Sequence, residues 1–225
     1  MNHLFEMYHI NSKNFPSQSS NCPNNYLKSS IKKNKSSFIA TIPKERVENY
    51  KTKSSRSFDK NGIRIEVVSN LINTVYSFNT EGGSSIPSAG GFNSLNLYVI
   101  FLNVLNEKRG LYYFDAEDGT LNFIKETVDL SFLPRNNFFV LEASIIIIIN
   151  GIPINLFNKY GERGYRYLLL QAGHLGQNIS LYCNKEMLNT CPIGGFYDDI
   201  LCRTLSLPKF EWPIYLYAVG GKTSE

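Results

Sequence analysis

Five consecutive isoleucines, Ile145–Ile149, run between Ser144 and Asn150. β-branched side chains are stiff and crowd a helix, but they pack well on a pleated strand. A strand with one wet face alternates apolar and polar residues. This run has no alternation, which predicts a central strand buried on both faces. Glu142 and Asn150 bound it, and five residues fall far short of the ~20 that cross a bilayer as a helix. The run therefore points to the interior of a folded domain.

The flanking patterns supply what such a strand packs with. In Arg64–Phe78, Ile65, Val68, Leu71, Ile72, Val75 and Tyr76 follow the 3.6-residue period of an amphipathic helix. Strand patterns follow at Leu97–Val104, Gly110–Asp115 and Leu121–Lys125, with turn residues at Asn106–Gly110 and Ala116–Gly119. Pro153 and Gly161 break the stretch after the isoleucines. A long helix is then expected over Arg163–Lys185, with the stripe Leu168, Ala172, Leu175, Ile179 and Tyr182. Glycine inside a helix costs about 1 kcal/mol relative to alanine. Gly173 and Gly176 therefore suggest close approach by another helix. A short helix at Asp198–Leu205 and a strand at Trp212–Val219 complete an α+β pattern with no internal repeat.

At 225 residues with 43% hydrophobic content, one domain is expected. Residues 11–36 are rich in Ser, Asn, Lys and Pro, and are read as an irregular arm after a short helix at about 3–9. The division is a basic, partly irregular arm over 1–40 and a folded domain over 41–225, with order starting around Phe38–Pro43. Residues 1–60 hold eleven Lys/Arg against four Asp/Glu. The lysines lie among Ser and Asn without an aromatic or Arg-rich pattern, which argues for a solvated arm rather than a nucleic-acid or membrane surface. Cys22, Cys183, Cys191 and Cys202 form no C-x-x-C pair and no metal-like spacing with the three histidines. A reduced, cytoplasmic, metal-free protein is the expectation. The first residues lack a charged n-region followed by an apolar run, so no secretory signal is read there.

Three blocks carry chemistry. The first is Lys51-Thr52-Lys53-Ser54-Ser55-Arg56-Ser57-Phe58, and the second is Pro87-Ser88-Ala89-Gly90. The third runs from Lys159-Tyr160-Gly161-Glu162-Arg163-Gly164-Tyr165-Arg166-Tyr167 into Gln171–Asn178 and on to Cys191-Pro192-Ile193-Gly194-Gly195-Phe196. In this order and at these spacings the chain resembles the azoline oxidases of the nitroreductase superfamily, the SagB/ThcOx-type thiazole/oxazole-forming peptide dehydrogenases. Taken individually, each block has a plainer reading: a solvated stretch before a helix, a Pro/Gly turn before a strand, and a Gly-Gly connector between helices.

The resemblance implies a nitroreductase-like fold, a mainly antiparallel sheet flanked by helices, with FMN at a homodimer interface. It implies that Lys53, Ser54 and Arg56 hold the phosphate and ribityl end of FMN, with Thr52 where the family usually has an arginine. Pro87, Ser88, Ala89 and Gly90 would lie beside the flavin ring, and Pro192, Ile193, Gly194 and Gly195 would cover its other side. Gly91-Phe92-Asn93-Ser94 departs from the family's usual continuation. Lys159 and Tyr160 match its catalytic pair. Aromatising an azoline removes a proton from the former Cα and a hydride from the former Cβ, so a base must stand beside the ring. A partly desolvated lysine can serve, and the neighbouring tyrosine can position the ring or relay the proton. The plainer reading of Lys159 is a surface cation at a helix end, with Gly161 as C-cap. His174 reads as a hydrogen-bonded structural histidine.

The implied activity is FMN-dependent oxidation of thiazoline or oxazoline rings in a ribosomally made peptide. The implied partners are a second copy of the chain, that peptide and a cyclodehydratase. An NAD(P)H-dependent nitroreductase and a catalytically silent flavin-binding scaffold of a biosynthetic complex are the alternatives.

Overall fold

The computed structural model describes Met7, His9, Lys13, residues 52–78 and residues 83–223. Apart from Met7, His9 and Lys13, the expected arm lies outside the described residues. So do the expected onset of order at Phe38–Pro43, Lys51, Cys22 and Glu81–Gly82.

Helix α1 spans Ile65–Val75. It is preceded by the two-residue strand β1 (Ile63–Arg64), which pairs in parallel with β3 (Val104–Leu105). The main sheet contains β2 (Leu95–Phe101), β4 (Gly110–Asp115), β5 (Thr120–Lys125), β6 (Ile145–Gly151), β7 (Leu188–Ile193) and β8 (Trp212–Gly221). Its order is β5-β4-β2-β6-β8-β7, and every neighbouring pair is antiparallel. Three further α-helices follow among residues 83–223: α2 (Ile154–Tyr160), α3 (Arg163–Lys185) and α4 (Asp198–Leu205).

The isoleucine run is central. Ile145, Ile147 and Ile149 pack with Leu71, Ile72, Leu168 and Leu175 of α1 and α3 on one face. Ile146 and Ile148 pack with Val140, Leu201 and Leu205 on the other. All five are fully buried, so the strand without alternation divides two cores. On the α1/α3 side, Phe101 of β2 stacks on Tyr112 of β4 with ring centroids 4.0 Å apart.

The two helical glycines do not share the expected cause. A Cβ on Gly176 would come within 2.5 Å of the Tyr217 hydroxyl, so Gly176 admits a strand side chain of β8 rather than another helix. Nothing lies within 4 Å of the corresponding point on Gly173. Tyr217 is buried and packed edge-on against Tyr215, so its ring has little room to retreat. Gly176→Ala is expected to destabilise the fold by about 1–3 kcal/mol, as overpacking does, despite alanine's better helix propensity. Urea unfolding checks this, and an unchanged or raised midpoint would refute it.

His174, read as a hydrogen-bonded structural histidine, is exposed on α3. Cys183 and Cys191 are buried free thiols and Cys202 is a half-buried one. Among the described residues, no His/Cys/Asp/Glu group could hold a metal, and no helix is long and apolar enough to cross a membrane.

Met7 and His9 are helical, as expected for a short N-terminal helix, but this part of the arm is not simply solvated. His9 is buried, stacks on Trp212 at 4.4 Å, and places Nδ1 3.4 Å from the Tyr165 hydroxyl. Lys13 pairs with Asp199 of α4 at 2.6 Å. Burial first, and then the Lys13 charge, pull the His9 pKa down to about 4 against the opposing pull of Asp199. The undocked imidazole titrates near 6.5, so between these values the free state binds more protons and docking weakens as pH falls. From pH 8 to pH 5 the docking equilibrium should drop roughly thirty-fold. Trp212 is the only tryptophan, so its fluorescence reports this directly. The transition should fall between pH 4 and 6.5 and vanish in His9→Leu. A pH-independent signal in the unsubstituted protein would refute it.

Candidate active site

The Pro87–Gly90 loop owes its shape to its residues. Buried Ile86 anchors it, and Gly90 and Gly91 take φ of +65° and +74°, where a side chain is strained. Residues Ala89–Gly91 make a tight turn in which Gly90 leaves helical geometry. The Ser88 hydroxyl donates to Asn93 Oδ1 at 3.3 Å, closing the loop. Ser94 then fixes the start of β2: its backbone N–H donates to Gln171 Oε1 of α3 at 3.3 Å, and its carbonyl accepts from Ile152 N at 2.9 Å.

Helix α2 carries Lys159 and Tyr160 in its last turn and stops at Gly161, whose φ of +56° turns the chain into α3. Gly164 lets α3 sit tightly on α2, since a Cβ there would lie 2.7 Å from the Phe157 ring. The Tyr160 ring is held edge-on by Tyr167 at 5.0 Å.

These separate stretches meet. A Cβ on Gly90 would lie 2.8 Å from the Tyr160 hydroxyl, 3.1 Å from Lys159 Nζ and 3.2 Å from the Phe92 ring. Lys159 Nζ stands 5.3 Å from the Phe92 ring centroid and 5.4 Å from that of Tyr160. Both are within the range in which an ammonium is attracted to a ring face. The plainer reading also has its geometry here, since Lys159 is exposed and Gly161 does cap α2. Convergence with Gly90 is what a mere surface cation lacks. Phe92, Tyr167 and Gln171 also belong to this cleft; they fall within stretches the sequence marked, but no role was read for them there. Only the helical spacing of Tyr167 and Gln171, four residues apart, hinted that they share a face.

The other anticipated residues gather elsewhere. Residues 52–58 run beside β7: Ser55 N donates to Thr190 O at 2.8 Å, and Asn189 Nδ2 donates to Ser57 O at 2.9 Å. Lys53, Ser55 and Ser57 line a cavity of about 390 Å³ with Ser180, Asn184 and Lys222. Ser54 instead bonds the Cys191 thiol, whose pKa burial pushes up against the opposing pull of Arg56 and Ser54. Arg56 lies 5.6 Å from the Phe139 ring centroid. Alternation along an extended segment thus sends Lys53 to one side and Ser54 and Arg56 to the other. Lys222 also escaped the sequence reading; its only signal was a cation directly after Gly220-Gly221.

Pro192 and Ile193 are the last residues of β7, not a loop, so the anticipated connector begins only at Gly194. Proline is tolerated there because β7 is an edge strand. Gly194 and Gly195 are exposed, and Asn137 Nδ2 donates to Gly195 O at 2.6 Å.

One chain does not unite the two groups. Tyr167 and Gln171 of α3 serve the Lys159 cleft, whereas Ser180 and Asn184 line the Lys53–Lys222 cavity. At 1.5 Å per helical residue they stand roughly 20 Å apart.

The sequence profile of the Nitroreductase family matches residues 50–221. The chain belongs to the nitroreductase family. A nitroreductase-type protein of Methanocaldococcus jannaschii is 28% identical to this family member over 176 residues, covering 76% of this chain and 88% of the relative. Among solved structures, a nitroreductase-type protein of Anabaena variabilis superposes with a TM-score of 0.66 at 24% identity, over 77% of this chain. This nitroreductase-family chain spans only 37% of the Anabaena chain. A chain of the Escherichia coli microcin synthetase McbBCD complex, with truncated pro-MccB17 bound, superposes with a TM-score of 0.69 at 18% identity. That match covers 98% of this chain and 82% of the other. The antiparallel sheet flanked by helices is thus the nitroreductase fold, and the family is one of flavin-dependent oxidoreductases.

Proposed function

We propose that this protein is an FMN-dependent dehydrogenase that oxidises thiazoline or oxazoline rings in a ribosomally made peptide to the aromatic azoles. In this reading it acts as a homodimer beside a cyclodehydratase that makes the ring. The observation that carries the reading is the convergence of Lys159 Nζ and the Tyr160 hydroxyl on Gly90. A nitroaromatic reduction calls for no base at that point, whereas azoline oxidation does.

The residues present suit FMN. Lys53, Lys222, Ser55 and Ser57 offer two cations and two hydroxyls to a phosphate in one cavity. Exposed Gly90, Gly194 and Gly195 leave backbone open to close approach by a planar ring. When bound, FMN supplies the hydride acceptor, and molecular oxygen restores it. Lys159 Nζ takes the proton from the former Cα, and the charge it gains lies against the Phe92 and Tyr160 faces. The Tyr160 hydroxyl, steadied by Tyr167, positions the ring.

A second copy supplies what one chain separates. Two subunits packed antiparallel along α3 would set one chain's Lys53–Lys222 cavity against the other's Lys159 cleft. Leu169 and Leu170 are exposed on α3, and Gly173 leaves room for such a contact.

An NAD(P)H-dependent nitroreductase is the second reading, favoured by the likeness to nitroreductase-type proteins of Methanocaldococcus and Anabaena. One experiment separates the two. The purified protein, yellow if it holds flavin, is given a defined azoline peptide under air. A two-hydrogen mass loss supports the dehydrogenase. NADPH consumption with a nitroaromatic, and no change in the peptide, supports the alternative.

A further inference from the structure

The loop that forms one wall of the Lys159 cleft is strained along its length. Three of the four residues Gly90–Asn93 take positive φ: Gly90 at +65°, Gly91 at +74° and Asn93 at +33°. Such backbone persists only where neighbouring structure holds it. Ser94, which follows directly and is buried, makes three holding contacts. Its hydroxyl donates to Phe92 O at 3.4 Å, and its carbonyl accepts from Ile152 N at 2.9 Å, just before α2 begins. Its N–H donates to Gln171 Oε1 of α3 at 3.3 Å. Loop, α2 and α3 therefore meet at one residue, and the side chain of Gln171 supplies the α3 link.

Stability does not account for this glutamine. Gln171 is 2% exposed, and its Nε2 is buried with no acceptor among the described residues. The amide's orientation follows from its partner, since a backbone N–H needs the oxygen to face it. An unpaired buried donor costs at least what one long hydrogen bond returns. The buried neighbours of Gln171 along α3, Leu168, Ala172 and Leu175, are apolar. A leucine at 171 would fill similar space without an orphaned group. What leucine lacks is an oxygen for Ser94.

We infer that Gln171 is a positioning residue for Lys159. Through Ser94 it fixes the Phe92 ring, whose centroid is 5.3 Å from Lys159 Nζ. It also fixes Gly90, where a Cβ would lie 3.1 Å from the same amine. With the link cut, the buried Ser94 N–H must find water, and the strained loop moves to reach it. The amine then loses the wall it stands against. The inference rests on the reading of Lys159 as the base, which it deepens by naming what holds that base in register.

Two variants test it: Gln171→Leu cuts the link, and Gln171→Glu keeps an oxygen for the Ser94 N–H. Three measurements on the full-length protein are read together: thermal melting, hydrogen exchange of residues 87–94, and single-turnover azoline oxidation. Leucine should leave the melting temperature nearly unchanged, because one orphaned group (Nε2) is exchanged for another, the Ser94 N–H. Exchange over 87–94 should nevertheless quicken about tenfold. Oxidation should slow about tenfold or more, as for a displaced reacting group, while the peptide concentration for half-saturation stays the same. Glutamate should restore slow exchange and most of the rate. Unchanged exchange or an unchanged rate in the leucine variant overturns the inference. So does early melting in both variants without rescue by glutamate, since Gln171 would then serve packing alone. Faster exchange in a protein that leaves azolines untouched would keep the link and defeat the dehydrogenase reading. Azoline oxidation indifferent to Gln171 would do the reverse.

Discussion

Lys159→Ala is expected to slow azoline oxidation by two to four orders of magnitude, the usual contribution of a positioned general base, while leaving the fold intact. Lys159 is exposed in the last turn of α2 and fills no core. Its only structural contribution is a cation at a helix C-terminus, about 0.3–1 kcal/mol. Lys159→Arg separates the two possible roles. Arginine keeps the charge and can still face Phe92 and Tyr160, but it does not give up its proton. If the lysine is the base, arginine should be nearly as slow as alanine in a single-turnover assay, with flavin absorbance unchanged in both. An arginine variant close to the full rate would make Lys159 a binding cation and remove the proposed base.

How much of this was legible in the sequence follows from where the signals live. Helix α3 was readable end to end, because 23 residues repeat the 3.6 period many times and Gly161 stands just before it. The isoleucine run announced a strand shared by two cores because its side chains leave no wet face. Strand β7 was missed: it has no alternation, contains Pro192, and forms the sheet's edge. Helix α2 has only seven residues between Pro153 and Gly161, too few for a period to declare itself. The site was legible as pieces and not as geometry. Gly90 and Lys159 are 69 positions apart, and packing of α2 on α3, with α3 against β2, brings them within contact. Lys53 and Arg56 looked like one motif, yet the extended backbone between them sends their side chains to opposite sides of β7. His9 was hidden for another reason. Its partner Trp212 is an aromatic residue in a strand, and nothing local to either residue marks the pair.

Gly90→Ala should strike the same cleft from its other wall, with a loss near a hundredfold in rate. Two effects act at this position. The first is backbone strain: at φ +65° an L-residue costs roughly 1–2 kcal/mol. The second is displacement, because the new Cβ would lie 2.8 Å from the Tyr160 hydroxyl and 3.1 Å from Lys159 Nζ. Tyr160 is braced by Tyr167, so the flexible lysine gives way and its amine leaves the reacting position. A misplacement of about 1 Å is enough for a hundredfold loss. Gly91→Ala isolates the strain, since Gly91 has φ +74° and nothing within 4 Å of its would-be Cβ. Thermal melts should therefore show similar small losses for both variants, whereas only the change at Gly90 should lower turnover. If both lost turnover equally, the loop's conformation alone would explain it, and the contact between Gly90 and the Lys159–Tyr160 pair would carry no catalytic meaning.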